Sequence, residues 1–218
     1  MAIIDVKTEG RRAVTEAAAT LREGGIIVYP TDTLYGFGAA ARNRQAVARL
    51  MRIKGRKTGL VFSVMLADIE ELVKFVRVRA EYAPALERLP GPYTFIFPSK
   101  ERLPDGVIGP GVGLGVRIPD CDLARSIARE FGGPVITTSV NRTGDAPLTD
   151  PKEIARKFSN EVDLIVDAGD IVGEPSTIIS FMTTPPTIIR RGAGDIDFLK
   201  AFQADGASMR RKKEKERQ

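Results

Sequence analysis

Short strand-like runs recur along this chain, and several are joined by connections too brief to hold a helix. That rhythm constrains the fold more than any other feature. Parallel neighbours need a crossover of a dozen or more residues, usually helical, whereas antiparallel neighbours can be joined by a tight turn. A chain that uses both kinds of connection builds a mixed sheet. The strand runs are Gly25 to Tyr29 (GIIVY, stopped by Pro30), Leu60 to Leu66, Tyr93 to Phe97, Gly113 to Pro119, Pro134 to Thr138, Asp163 to Asp167, Ser176 to Phe181 and Thr187 to Arg190. Helical spacing reads over Thr15 to Glu23, ended by Gly24-Gly25, and over Gln45 to Ile53, where Ala46, Val47, Leu50 and Met51 share a face. It reads again over Asp68 to Val76, Asp122 to Phe131 and Pro151 to Phe158, with Asp68 and Asp150 as caps. The expected fold class is α/β: one domain over residues 3–202, with a twisted, open, mixed sheet flanked by helices.

Composition narrows the chemistry. The 218 residues include no histidine and one cysteine, Cys121. Ser-His-Asp and Cys-His catalysis and the zinc motifs are thereby excluded, and no internal disulfide can form. A metal would be a hard ion such as Mg²⁺ on oxygen ligands. No apolar run reaches membrane-spanning length and the N-terminus is a poor signal peptide, so a cytoplasmic protein with no membrane partner is expected. The last ten residues, MRRKKEKERQ, carry six Lys or Arg against two Glu, four units of the chain's net +5. Residues 203–218 therefore read as a basic, disordered tail, either solvated or in contact with RNA.

Three polar clusters end strands or helices. PTDTLYG (Pro30 to Gly36) follows a buried strand; it reads as a turn, with Gly36 free to take positive φ, or as a site. IKGRKTG (Ile53 to Gly59) gathers Lys54, Arg56 and Lys57 at a helix end, as partners of the dipole or as a phosphate clamp. It is not a P-loop, and GLGVR is not a dinucleotide fingerprint. The third is VITTSVNRTGD (Val135 to Asp145), where a strand runs into Ser139 and Asn141.

Taken together with LPGPYTFIF, GVRIPD, VDLIVDAGD, PSTII and RRGAGDI, these clusters resemble the YrdC/TsaC family, the threonylcarbamoyl-AMP synthases, over about Gly24 to Asp195. The pairing of Lys54-x-Arg56 with Ser139-x-Asn141 is similar to that family's signature tetrad. The resemblance implies a YrdC-like fold and synthesis of L-threonylcarbamoyl-AMP from L-threonine, bicarbonate or CO₂, and ATP, with Mg²⁺ and release of pyrophosphate. A transferase complex would then modify tRNA. Carried over residue by residue, it implies Lys54 and Arg56 as catalytic residues on the triphosphate. Thr58, Thr137, Ser139, Asn141 and Arg191 would bind the nucleotide, and Thr31, Ser63, Arg117 and Ser176 would hold L-threonine.

Ser63 stands near where many members place a histidine. VFSVMLADIEEL with GPYTFIF also resembles the YciO branch of the superfamily, which implies the alternative of a double-stranded RNA or tRNA-binding protein without efficient synthase activity. With 6% aromatics and no Trp, a base-stacking platform is not evident.

Overall fold

The computed structural model describes residues 1–55, 61–108, 111 and 113–202. Arg56 and Thr58, and the expected tail of residues 203–218, lie outside them. In chain order the elements are β1 (Ala2–Asp5), α1 (Val6–Arg22), β2 (Ile27–Tyr29), β3 (Gly36–Ala40), α2 (Arg44–Lys54), β4 (Ser63–Met65), α3 (Ile69–Phe75), a 3-10 segment (Ala80–Arg88), β5 (Tyr93–Pro98) and β6 (Gly113–Arg117). There follow α4 (Asp122–Phe131), β7 (Val135–Ser139), α5 (Pro151–Phe158), β8 (Leu164–Asp167), β9 (Thr177–Ser180), β10 (Thr187–Arg190) and a 3-10 turn (Asp197–Leu199). The strands form one sheet in the order β1-β8-β2-β3-β7-β4-β6-β5-β9-β10. It is mixed, as the connection lengths require: β1/β8, β2/β8, β4/β6 and β5/β9 are parallel, and β2/β3, β3/β7, β4/β7, β5/β6 and β9/β10 antiparallel.

Two strands and most of one helix depart from the sequence reading. β1 pairs with β8 from the first residues of the chain. α1 begins at Val6 rather than Thr15: Asp5 accepts a hydrogen bond from the Lys7 amide at 2.8 Å, and the helix kinks at Glu9. β3, GFGAA, reads poorly as a strand because Gly and Ala rank low in β-propensity. Gly36, expected in a turn, instead pairs with Ser139 in the sheet. Small residues are needed there. A Cβ on Gly38 would lie 2.8 Å from Ile27 Cγ1, and one on Gly36 would lie 3.3 Å from the Tyr29 ring, so side chains of β2 cover the β3 backbone.

Strand alternation sorts side chains to two cores. On one face Ile27, Tyr29, Met65, Val135, Leu164 and Val166 pack with Ala13, Ala17 and Leu21 of α1 and Ala124, Ile127 and Ala128 of α4. On the other, Val28, Phe37, Val64, Phe95, Val116 and Ile136 pack with Val47 and Leu50 of α2 and Ile154 and Phe158 of α5.

Asp163 ties α2 to the start of β2. It accepts from the Ile26 amide at 2.7 Å and from Arg49 Nη1 at 2.6 Å. Burial works to raise this carboxyl, but the Arg49 hydrogen bond, the Ile26 amide and the Arg49 charge outweigh it, so its pKa is lowered below the usual carboxylate range. A lowered folded-state pKa adds stability above the unfolded-state value that is lost as pH falls through the folded one. Asp163→Asn should therefore lower the melting temperature at pH 7, and the gap to wild type should shrink on acidification below about pH 4. Melting curves across pH check this; a constant gap would assign the effect to the amide contact alone.

Candidate active site

The site lies on the sheet face that α1 and α4 cover only in part. Along β7, Val135 is under the helices, and the next residues on the same side are Thr137 and Ser139. Along β4, Met65 is under the helices and Ser63 is beyond them. Register matches the two strands: Met65 opposes Val135, and Ser63 opposes Thr137. The uncovered end of this face is the floor of a cavity of about 270 Å³, to which β3, β6, β5 and β9 add Gly36, Arg117, Thr94 and Ile178. Space is tight beside Ser63, where a Cβ on Gly115 would come within 2.6 Å of the hydroxyl.

At one end is Lys54, the last residue of α2 and only 2% exposed. Its ammonium donates to the Ser139 carbonyl and to Asn141 Oδ1, each at 2.8 Å, and lies 6.0 Å from the centre of the Phe37 ring. Asn141 Oδ1 also accepts from Ser139 Oγ at 2.6 Å, while its Nδ2 donates to the carbonyls of Arg142 and Asp145 at 2.8 Å. These bonds fix which way the amide points. The sequence separates Lys54 from Ser139 and Asn141 widely; the fold joins them.

At the other end are hydroxyls and two guanidiniums. Arg117, 7% exposed, pairs with Asp32 through Nη2, which also donates to Thr33 Oγ1 at 2.8 Å and Thr31 Oγ1 at 3.5 Å. Among the described residues, Asp32 Oδ2 and Arg117 Nε are buried with no hydrogen-bond partner, which leaves both atoms able to take one. Ser176 Oγ is 2.9 Å from Thr94 Oγ1, and Arg190 Nη2 donates to the Ser176 carbonyl at 2.8 Å and to its hydroxyl at 3.1 Å. Burial first, and then the charge of Arg117, lower the pKa of the Arg190 guanidinium from its ordinary value. An anion placed between two such cations relieves their repulsion.

Of the expected residues, Thr31, Lys54, Ser63, Arg117, Thr137, Ser139, Asn141 and Ser176 all line this cavity. Arg191 is exposed and outside the lining; its neighbour Arg190 enters instead, because its guanidinium closes back onto Ser176. Thr33 and Thr143, which belong to the first and third polar clusters but were given no individual role, also line it, as does Thr94, which was not expected. Strand alternation could have found Thr94, which faces away from its aromatic neighbours Tyr93 and Phe95. Tyr35 has a structural role: its hydroxyl donates to the Gly169 carbonyl and accepts from the Ala168 amide, both at 2.8 Å, and burial pushes its pKa up to about 12.

A family model described as Sua5/YciO/YrdC, telomere recombination, matches residues 19–192. YciO of Escherichia coli, an uncharacterized protein, is 30% identical over 189 residues, spanning 85% of this chain and 92% of its own. Its crystal structure matches with a TM-score of 0.80 over 88% of this chain and 93% of that one. A threonylcarbamoyl-AMP synthase of Halorhodospira halophila is 34% identical over 155 residues, 70% of this chain and 81% of its own. The structure of Pyrococcus abyssi Sua5 complexed with L-threonine is 29% identical and matches with a TM-score of 0.80, over 88% of this chain and 57% of that chain.

Proposed function

This chain belongs to the Sua5/YciO/YrdC family, and from that premise we propose that it joins L-threonine, bicarbonate or CO₂, and ATP into L-threonylcarbamoyl-AMP, releasing pyrophosphate. One observation carries the reading. A single cavity unites the buried Lys54–Ser139–Asn141 cluster with a hydroxyl-rich end holding Arg117 and Arg190. The first suits phosphates, the second an amino acid with a carboxylate and a hydroxyl.

Threonine's amine and CO₂ give a carbamate. One carbamate oxygen attacks the α-phosphorus, the bond from that phosphorus to the bridging oxygen breaks, and pyrophosphate leaves with the electron pair. Nucleophile and leaving group both belong to substrates, so the protein contributes alignment and charge. In this reading Lys54, with Arg56 following in sequence, neutralises the triphosphate. Thr137, Ser139 and Asn141 hold the phosphate and ribose region. Arg117, already oriented by Asp32, takes the threonine carboxylate, with Thr31, Ser63 and Ser176 around the rest of the amino acid. Arg191 would meet only a part of the nucleotide that projects beyond the cavity. Among the described residues no three His, Cys, Asp or Glu gather to hold a metal. Mg²⁺ would arrive on the triphosphate, supplying charge neutralisation. The product is an activated acyl donor, suited to a separate transferase that modifies tRNA. No helix among the described residues is long and apolar enough to cross a membrane, and a cytoplasmic setting fits the substrates.

Pyrophosphate release with ATP, Mg²⁺ and bicarbonate, with and without L-threonine, tests the reading, with serine as control. Threonine-dependent release is expected. ATP binding without it would assign the chain a role other than synthesis.

A further inference from the structure

Residues on both sides of Arg142 line the cavity, but Arg142 itself does not. Its side chain runs to the C-terminus of α2, where one guanidinium nitrogen, Nη1, donates to the Ile53 carbonyl. The other, Nη2, donates to Glu161 Oε1 at 2.6 Å, beyond α5, and the guanidinium lies 5.3 Å from the centre of the Phe158 ring. The Thr143 amide adds a bond to the Lys54 carbonyl at 2.8 Å.

The last carbonyls of a helix have no partner within it, and a cation there also favours the helix dipole. α2 ends at once, because Gly55 turns left-handed at φ 60. Its terminal carbonyls at Ile53 and Lys54 are therefore satisfied from the β7–α5 loop, the same loop that presents Asn141 to the Lys54 ammonium. Backbone and side chain of Lys54 are thus held by one segment, and Arg142 braces that segment against α5.

Resting on the reading that the Lys54 end takes the nucleotide, we infer that Arg142 is a positioning residue for ATP, acting through Lys54 without touching the ligand. Its two arms fix the α2 terminus against the Ser139–Asn141 loop, and so set where the ammonium stands.

The experiment compares full-length wild type with Arg142→Gln and Arg142→Lys. Hydrogen exchange at the Thr143 amide should quicken about 10-fold in Arg142→Gln, while amides between α1 and α4 stay unchanged. The ATP dissociation constant should rise about 10- to 100-fold, with the KM for threonine little altered. Arg142→Lys keeps the charge but cannot fork to both acceptors, so it should recover only part of the loss. In a Lys54→Met background, Arg142→Gln should add almost nothing to the ATP defect. Unchanged Thr143 exchange, an equal effect on ATP and threonine, or full additivity with Lys54→Met would each overturn the inference. If Arg142→Gln does not fold, Glu161→Gln frees one arm alone, and a smaller shift at Thr143 is expected; no shift overturns the inference. Should wild type bind ATP yet release no pyrophosphate, the synthase reading falls, while the exchange and ATP-binding arms still decide the role of Arg142. If it binds no ATP, the ligand half of the inference falls with that reading.

Discussion

Lys54→Met should lower threonine-dependent pyrophosphate release by about 10²- to 10³-fold, the range for removing one preorganised electrostatic group. Methionine keeps most of the volume of a side chain that is 2% exposed and lies beside Phe37. The loss therefore follows from the charge and its hydrogen bonds, those to Ser139 and Asn141 among them, rather than from a hole in the core. Asn141 Oδ1 still accepts from Ser139 Oγ, so the stability cost should stay within about 1–3 kcal/mol. Activity at saturating ATP, together with the melting temperature, separates the two effects. Retention of a third of the activity in a folded variant would mean that the phosphates lie elsewhere.

Gly192→Ala should cost about 3 kcal/mol or more, and activity with it. A Cβ at this position would lie 2.0 Å from the Pro175 carbonyl oxygen and 2.8 Å from the Ser176 carbonyl carbon, and backbone atoms cannot simply rotate aside. The close approach is held by Thr177, whose hydroxyl accepts from the Gly192 amide at 3.0 Å and donates to the Gly194 carbonyl at 2.7 Å. Parting the two segments would carry Arg190 away from Ser176 at the hydroxyl-rich end of the cavity. For a chain of this size the melting temperature should fall by about 6–12 °C. Gly10→Ala is the contrast: nothing lies within 4 Å of its added Cβ, within α1, so it should be neutral or stabilising by up to about 1 kcal/mol. Equal melting temperatures for the two variants would refute the argument from backbone approach.

What could be read from the sequence follows from how local the cause was. The spans of α4 and α5 and the Asp150 cap are set by helical spacing and a side chain that bonds the first turn, and all three stand as expected. β10 does too. β3 was not legible, because its glycines answer to Ile27 and Tyr29 on a neighbouring strand, not to any local pattern. Lys54, Ser139 and Asn141 were singled out through a family resemblance and do line one cavity, but their contact depends on α2 ending against the β7 loop, which no spacing reveals. That Arg190 and not Arg191 lines the cavity has the same origin. Two adjacent arginines at a strand end look alike until Ser176 is brought within reach of one.

The meeting of core and floor on one side of the sheet bears on how such proteins diverge. β4 and β7 bury Met65 and Val135 under helices, and two residues further along Ser63 and Thr137 line the cavity, with the same pleat serving both. A substitution at a floor position can change what is bound without moving anything packed against α1 or α4. Lineages can thus drift in ligand preference while their backbones stay superposable. The uncharacterized YciO and the threonine-bound Sua5 match this chain at the same TM-score of 0.80. One backbone shape thus fits both matches, and a comparison of ligand preference is best aimed at the side chains of the uncovered strand ends.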